Sequence, residues 1–383
     1  MLTLLPSLAL TLLFQVAALP SSLPQSDGLQ GPAPAVDVVT SAQDAFLQEG
    51  LQAANRGLAW LAGQQQADGS FRADVGYKLE EGYRSWNDNA KHLGVTAIVG
   101  MAFLAGGHTP GRGPYGKVVS GALDFVLSHS REDGYLTANE TRMYSHAFAT
   151  LFLAEAYGMV ERPDLRATLQ RAVNLIVSSQ NKEGGWRYQP HVDDADMSVA
   201  ACQVMALRAA RNIGLSVPHA TIDRAVQYVH DSAVRDDDPS ASRRWSRPGS
   251  FRYQPDWRSR SSWALTAAGV AVLHHSGVYA DRDADKALLF LEDEAASFNL
   301  DWGLRTGGHY SFYYGHYYAV QAFHMTGGQR YRNYMDGISR TLLNMQDEHG
   351  VWPNRIGPGK VFGTAMACLI LQIPKEYLPI FQR

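Results

Sequence analysis

Six times along this chain of 383 residues, a basic or small residue leads into an aromatic–aliphatic pair, and most of these stretches run on into a glycine-containing turn. The clearest copy is Arg56-Gly57-Leu58-Ala59-Trp60-Leu61, followed by Gln65 and Asp68-Gly69-Ser70-Phe71. The third runs from Arg171 to Ile176, followed by Gln180 and Gly184-Gly185-Trp186. The copies anchor at Trp60, Phe125, Leu175, Tyr228, Phe290 and Thr341-Leu342. A repeat of this period means an array of similar supersecondary units, none of which buries its apolar face alone.

After each copy comes a second apolar run, at 90–106, 144–158, 196–213, 261–276, 313–326 and 361–373. The first run of a unit is amphipathic, as in Leu165–Ser179, with polar positions spaced to face water. The second is apolar all round and rich in small residues, as in Thr96–Ala105, so it must be buried on every side. Six exposed helices alternating with six buried ones predict an all-α fold, a single closed α/α6 toroid with an inner barrel of six helices in an outer ring of six. An open solenoid needs polar caps at its ends, whereas the last run, Val361–Ile373, is as apolar as the middle ones. The motif residues themselves are assigned to packing: glycine permits the tight turn, and the aromatic packs on the next unit.

The organisation expected is a signal peptide at 1–18, a Pro/Ser-rich linker at 19–44 and the toroid at 45–383, with a charged and aromatic insertion at 234–259. Met1–Ala18 is almost wholly apolar, with Val16-Ala17-Ala18 offering small residues for cleavage. It is short for a membrane span and interrupted by Pro6. The expected location is therefore outside the cytoplasm, periplasmic or extracellular. A net charge of −3 gives no reason to expect a nucleic-acid partner. Cys202 and Cys368 are too few for a disulfide framework and are read as buried thiols.

These residues resemble the QW-type repeats of the prenyltransferase and squalene-oxidase repeat families, over roughly residues 45–373. The resemblance implies the α/α toroid shared by terpenoid cyclases and protein prenyltransferases, and the chain looks like exported bacterial members of unassigned activity. Squalene-type cyclases protonate an alkene with the middle Asp of an Asp-x-Asp-Asp motif. The nearest match here is Asp194-Ala195-Asp196-Met197, preceded by Asp193. The resemblance thus makes Asp196 the acid, with Asp193 and Asp194 as crowding carboxylates that keep a proton in a dry cavity. Met197 departs from the motif, and the chain has length for one toroid where squalene-type cyclases have two helical domains. Asp196 also stands where an N-cap belongs. No Asp-x-Cys with a suitable His is present for the zinc of a protein prenyltransferase, and Cys202-Gln203 lacks the setting of a thioester.

Inner-helix ends in a toroid face one shared cavity. His92, His146, Trp263, Tyr314, His316 and Tyr317 are the candidate ligand-binding residues there. Their aromatic rings suit a cation, a sugar or core packing. A zinc site from His92, His146, His316 and Asp196 is the one metal arrangement conceivable; none is assigned, and no cofactor is expected. The functional expectation is a terpenoid-cyclase-like protein, isomerase-like if an enzyme, binding a hydrophobic isoprenoid. Two alternatives stay open: a non-catalytic exported scaffold with a protein partner, and a carbohydrate-active α/α barrel. The last needs a second carboxylate, for which Glu155 and Asp301 are the possible partners.

Overall fold

The computed structural model describes residues 38–79, 82–241, 246–300 and 311–382. The expected signal peptide, most of the linker, Arg243, Arg244, Trp245, Asp301, His309 and Tyr310 lie outside them. Among the described residues are twelve α-helices: α1 (Val38–Ala62), α2 (Leu93–Ala105), α3 (Gly116–Ser128), α4 (Met143–Ala156), α5 (Pro163–Ser178), α6 (Met197–Asn212), α7 (His219–Asp231), α8 (Trp263–His275), α9 (Arg282–Leu300), α10 (Phe312–Thr326), α11 (Gly328–Met345) and α12 (Lys360–Gln372). The even-numbered helices form the inner barrel. Each packs on the next, and α12 packs on α2, which closes the ring. The odd-numbered helices lie outside them, so the expected α/α toroid is the fold observed.

The sequence explains both layers. All 13 residues of α2 and all 13 of α8 are buried, as their all-round apolar composition requires. By contrast α7 buries only Thr221, Ile222, Ala225, Tyr228 and Val229, one stripe of an otherwise wetted helix. Cys202 on α6 and Cys368 on α12 are free, buried thiols in opposite units.

In the first, third and sixth units the repeat motif stitches the unit to the next. Gln65 Nε2 donates to its own turn at Gly69 O and across to Val118 O on α3, at 3.1 and 2.8 Å. Gln180 repeats this with Gly184 O and Thr221 O on α7, at 2.9 and 2.8 Å. Gln346 repeats it with Gly350 O and, across the closing seam, Ala53 O on α1, at 3.0 and 2.8 Å. The turn glycine beside each Gln lies against the backbone of the next outer helix. At Gly184, where φ is +94°, a Cβ would sit 2.2 Å from Arg224 O.

One element departs from the all-α expectation. Strands β1 (Arg72–Leu79) and β2 (Gly82–Lys91) form an antiparallel hairpin, pairing Arg72 with Lys91 and Tyr77 with Arg84, with an irregular register at Val75. It belongs to the first outer-to-inner connection. All such connections are long and gather at the N-terminal ends of the inner helices, whereas the inner-to-outer links at the other end are short. Loop length therefore marks the loop end as the place for a site.

The opposite end is sealed by the chain's own C-terminal segment, with short 3₁₀ turns at Ile373–Lys375 and Pro379–Phe381. Leu378, Ile380 and Phe381 are buried. Lys375 Nζ reaches Gly106 O after α2 at 3.3 Å, Glu376 pairs with His324 on α10 at 3.0 Å, and Ile380 N donates to Glu155 Oε2 on α4 at 3.4 Å. Burial pushes the Glu155 carboxyl up to about 8.

Two outcomes follow from this architecture. Gly184→Ala adds a methyl where the φ and the Arg224 carbonyl both forbid it. It should lower unfolding free energy by about 2–3 kcal/mol or more in urea titrations, with activity-independent readout. Glu155 is protonated in the fold at neutral pH and ionised when unfolded. The stability it confers is full below the ordinary carboxylate pKa of 4.5 and is lost as pH climbs to about 8. Wild type should therefore lose on the order of 4 kcal/mol relative to Glu155→Gln between pH 5 and 9; parallel stability curves for the two proteins would contradict this.

Candidate functional site

The connection between α5 and α6 brings Asp196 to the N-cap of α6, where its Oδ1 accepts from Val199 N at 3.0 Å. The same position in other units carries other caps. His92 Nδ1 accepts from Val95 N at the start of α2, and Ser262 Oγ accepts from Leu265 N at the start of α8, each at 3.2 Å. His92 is therefore a cap, and desolvation lowers its imidazole to about 4, keeping it neutral.

Asp196 does more than cap. It is wholly buried, and its oxygens collect four donors. Oδ1 also accepts from Ser198 Oγ, while Oδ2 accepts from Arg187 Nη1 at 2.8 Å and from the Tyr253 hydroxyl at 3.1 Å. Two phenols feed this carboxylate through one intervening hydroxyl each. The Tyr144 OH donates to Ser198 Oγ at 2.5 Å, and the Tyr188 and Tyr253 hydroxyls share a 2.5 Å hydrogen bond. Burial pushes the Asp196 carboxyl up, and the surrounding donors oppose that rise. The Arg187 guanidinium lies over the Tyr188 and Tyr253 rings, 4.7 and 5.5 Å from their centroids. Tyr314 completes the cluster, its OH donating to Ser198 O at 3.3 Å.

The three-carboxylate cluster does not form. Asp193 and Asp194 are exposed, because the chain turns inward only at Ala195. Asp193 contributes its backbone carbonyl to Asn181 Nδ2 at 2.7 Å. Asp194 pairs with Arg187 Nε at 3.1 Å and accepts from Gln254 Nε2 at 2.6 Å, at the water-facing edge.

The remaining candidates are dispersed. His146 is saturated by backbone: its Nδ1 accepts from Leu136 N at 3.0 Å and its Nε2 meets Ala172 O at 3.1 Å. Thr96, Thr266 and Thr364 take the matching role, each accepting a turn N–H from Phe71, Phe251 and Trp352. His146 is thus a repeat-frame residue, and its burial lowers it to about 4. Trp263 and His316 face the outer layer: Trp263 Nε1 donates to Leu291 O at 3.0 Å, and His316 Nδ1 meets the Tyr334 hydroxyl at 2.7 Å. Tyr317 lies inside the barrel with Phe148 and Tyr318, at ring distances of 5.8 and 5.1 Å. These engagements give His92, His146 and His316 separate structural partners. Among the described residues, one His/Cys/Asp/Glu group converges, His230 with Asp281 and Asp283, and Arg235 already pairs with Asp283 at 2.7 Å.

Beside the Asp196 network opens a groove of about 580 Å³, lined by Trp86, Arg131, Tyr135, Glu140, Arg142 and Gln189, among others. The two are adjacent in the chain: Gln189 follows Tyr188, and Met143 N donates to Tyr188 O at 3.0 Å. A recess of about 640 Å³ on the outer wall is lined by Arg56, Trp60, Asp347 and Lys360. It lies at the ring-closing seam, and the groove is the one that meets buried polar chemistry. Sequence reasoning missed Arg187, Tyr188, Tyr144 and Trp86. Tyr253 stood out only as an insertion aromatic. The usable signal was Trp186-Arg187-Tyr188 directly after a motif turn.

No protein-family model and no curated protein matches this sequence. Solved structures do match in fold. A cellobiose 2-epimerase from Spirochaeta thermophila is 13% identical, with TM-score 0.59 over 88% of this chain and 98% of that one. A GH76 α-1,6-mannanase of Salegentibacter, in complex with α-1,6-mannotriose, is 9% identical, with TM-score 0.58 over 84% and 98%. A type II terpene cyclase of Scytonema, holding geranylgeranyl dihydroxybenzoate, is 15% identical, with TM-score 0.51 over 88% and 99%. At these identities the likeness establishes the α/α toroid and no activity.

The Asp196 network predicts a measurable coupling. Asp196→Ala should cost about 2–4 kcal/mol, because Arg187 and Val199 N lose their acceptor. A double-mutant cycle with Arg187→Ala should return about 1–3 kcal/mol of interaction by denaturant unfolding.

Proposed function

We propose that this toroid binds a saccharide in the loop-end groove, with the Asp196 network as the frame that holds the groove's wall. The observation carrying this reading is the groove's composition. The indole of Trp86, with Arg142 stacked on it, stands among hydroxyl and amide groups from Thr137, Asn139 and Gln189. Sugars present apolar ring faces and a rim of hydroxyls, which this mixture matches. The volume suits a short oligosaccharide. Carbohydrate-acting toroids among the structural neighbours agree with this reading, as does the export expected from the sequence, since glycans are abundant outside the cytoplasm.

The cyclase-like reading draws on one observation, the full burial of Asp196 with its raised carboxyl pKa. Against it stand the four donors, which hold Asp196 as an acceptor where alkene protonation needs a donating acid. Phe148, Tyr317 and Tyr318 also occupy the barrel interior where an isoprenoid would lie.

A glycan array and calorimetry on the purified chain separate the two. Saccharide binding that falls at least about tenfold in Trp86→Ala, a loss of about 1.4 kcal/mol, is the expected result. Turnover of an isoprenoid that is abolished in Asp196→Asn, with no glycan bound, would replace this reading by the cyclase-like one.

A further inference from the structure

Resting on the saccharide reading of the loop-end groove, we propose that the groove selects anionic saccharides, those bearing carboxylate or sulfate groups, and that Arg142 is the residue that recognises the charge.

Arg142 is the N-cap residue of α4, in extended backbone, and its side chain makes no capping hydrogen bond. Its guanidinium stacks on Trp86, 4.3 Å from the ring centroid. The side chain is half-buried, and among the described residues it has no carboxylate partner and no hydrogen-bond acceptor. The neighbouring arginines differ. Arg131 pairs with Asp133 at 2.9 Å, and Arg187 pairs with Asp196 and Asp194 at 2.8 and 3.1 Å. Arg142 is thus the uncompensated cation of this wall.

A guanidinium partly withdrawn from water without a counter-ion is costly. The ring face of Trp86 offsets part of that cost through its quadrupole. Stacking uses the face of the guanidinium and leaves its edge donors, the fork that matches a carboxylate or sulfate in two parallel hydrogen bonds. The pair thus presents a charged fork for an anionic substituent, held in place by the Trp86 ring face that Arg142 covers. Two further groups set the balance. Gln189, exposed at the groove wall, is unengaged and supplies a neutral amide, and Glu140 is the groove's one carboxylate. Glu140 sits in left-handed backbone, φ +64°, at the exposed edge. Its charge opposes an anion, so Arg142 and Glu140 should influence binding with opposite signs.

The experiment is calorimetric titration of the full chain with three probes of equal length: a galacturonate oligosaccharide, a sulfated heparin-derived oligosaccharide and neutral cello-oligosaccharide. Titrations are run at low salt and at about 0.3 M salt. The expected result is at least about tenfold tighter binding of one or both anionic probes than of the neutral one, with the preference shrinking at the higher salt. Which anionic probe binds tells carboxylate from sulfate recognition. Arg142→Gln should weaken the anionic probes at least about tenfold more than the neutral one, so that the preference disappears, and Glu140→Gln should raise anionic affinity a few-fold. Equal affinity for neutral and anionic probes overturns the proposal and leaves the saccharide reading standing, and so does an Arg142→Gln effect that is the same for all three. Absence of binding by every probe sinks both. Glu140→Gln, at an exposed position without partners, tests the sign even where Arg142→Gln loosens the hairpin.

Discussion

The toroid depends on one contact repeated around its rim: a turn backbone laid directly on the backbone of the next outer helix. Where glycine is present there is no side chain between the two, and at three of the turns a glutamine amide, Gln65, Gln180 or Gln346, ties the same turn to the same neighbour. Gly69 approaches Gly121, Gly134 approaches Arg171, Gly184 approaches Arg224, and Gly350 approaches Arg56. The last of these returns to the first outer helix. A contact at this range fixes the angle between successive units more tightly than side-chain packing can, because backbone has no rotamers with which to adapt. A fixed angle repeated from unit to unit either closes or spirals. Gln346 reaching Ala53 is the sign that it closes.

That logic explains what was legible. The repeat dictated the helices and their layering, because an all-apolar helix such as Ala264–Leu273 has no solution except burial inside a ring. The hairpin Arg72–Lys91 was not legible. It lies outside the repeat, its buried positions are few, and its glycines, charges and irregular register hide a period of two. The site was half legible. Asp196 was visible as a carboxylate before a buried helix, but the partners that define its state come from a motif turn, from α4 and from the insertion after α7, and only folding brings these together. His146 misled for an instructive reason: a histidine at a barrel-helix end reads as chemistry, yet three threonines do the same work in other units. Comparing the repeats position by position reveals that equivalence, and reading each candidate alone does not.

The network around Asp196 also shows why burial by itself does not define an acid. Desolvation raises the carboxyl pKa, while a guanidinium, two hydroxyls and a backbone N–H all favour the charged form as acceptor. The groups that would have to leave before Asp196 could donate a proton are Arg187, Ser198 and Val199 N of its own unit and Tyr253 of the next, and Ser198 in turn ties Tyr144 and Tyr314 to the same cluster, so that four units of the ring meet there. Tyr144 belongs to the second unit, Asp196 to the third, Tyr253 to the insertion of the fourth, and Tyr314 to the fifth. A proton donor built from the mortar between units would loosen the barrel each time it acted. A positioning role carries no such conflict.

The two ends of the barrel complete the argument about where a ligand can reach. At the end with short links, the C-terminal segment crosses the opening, and its apolar residues Leu378, Ile380 and Phe381 are buried. Glu155, protonated beneath it, keeps a carboxyl there without a charge to compensate. Opening that end would expose the apolar plug and cost the contacts it makes with α2, α4 and α10. At the other end, the loops leave a groove beside the stacked Trp86 and Arg142, and among the described residues no apolar seal covers it. The asymmetry is a consequence of connection length. Short links leave no chain to spare for a site, so the tail can close over them, whereas long connections must fold on themselves and enclose a groove as they do so.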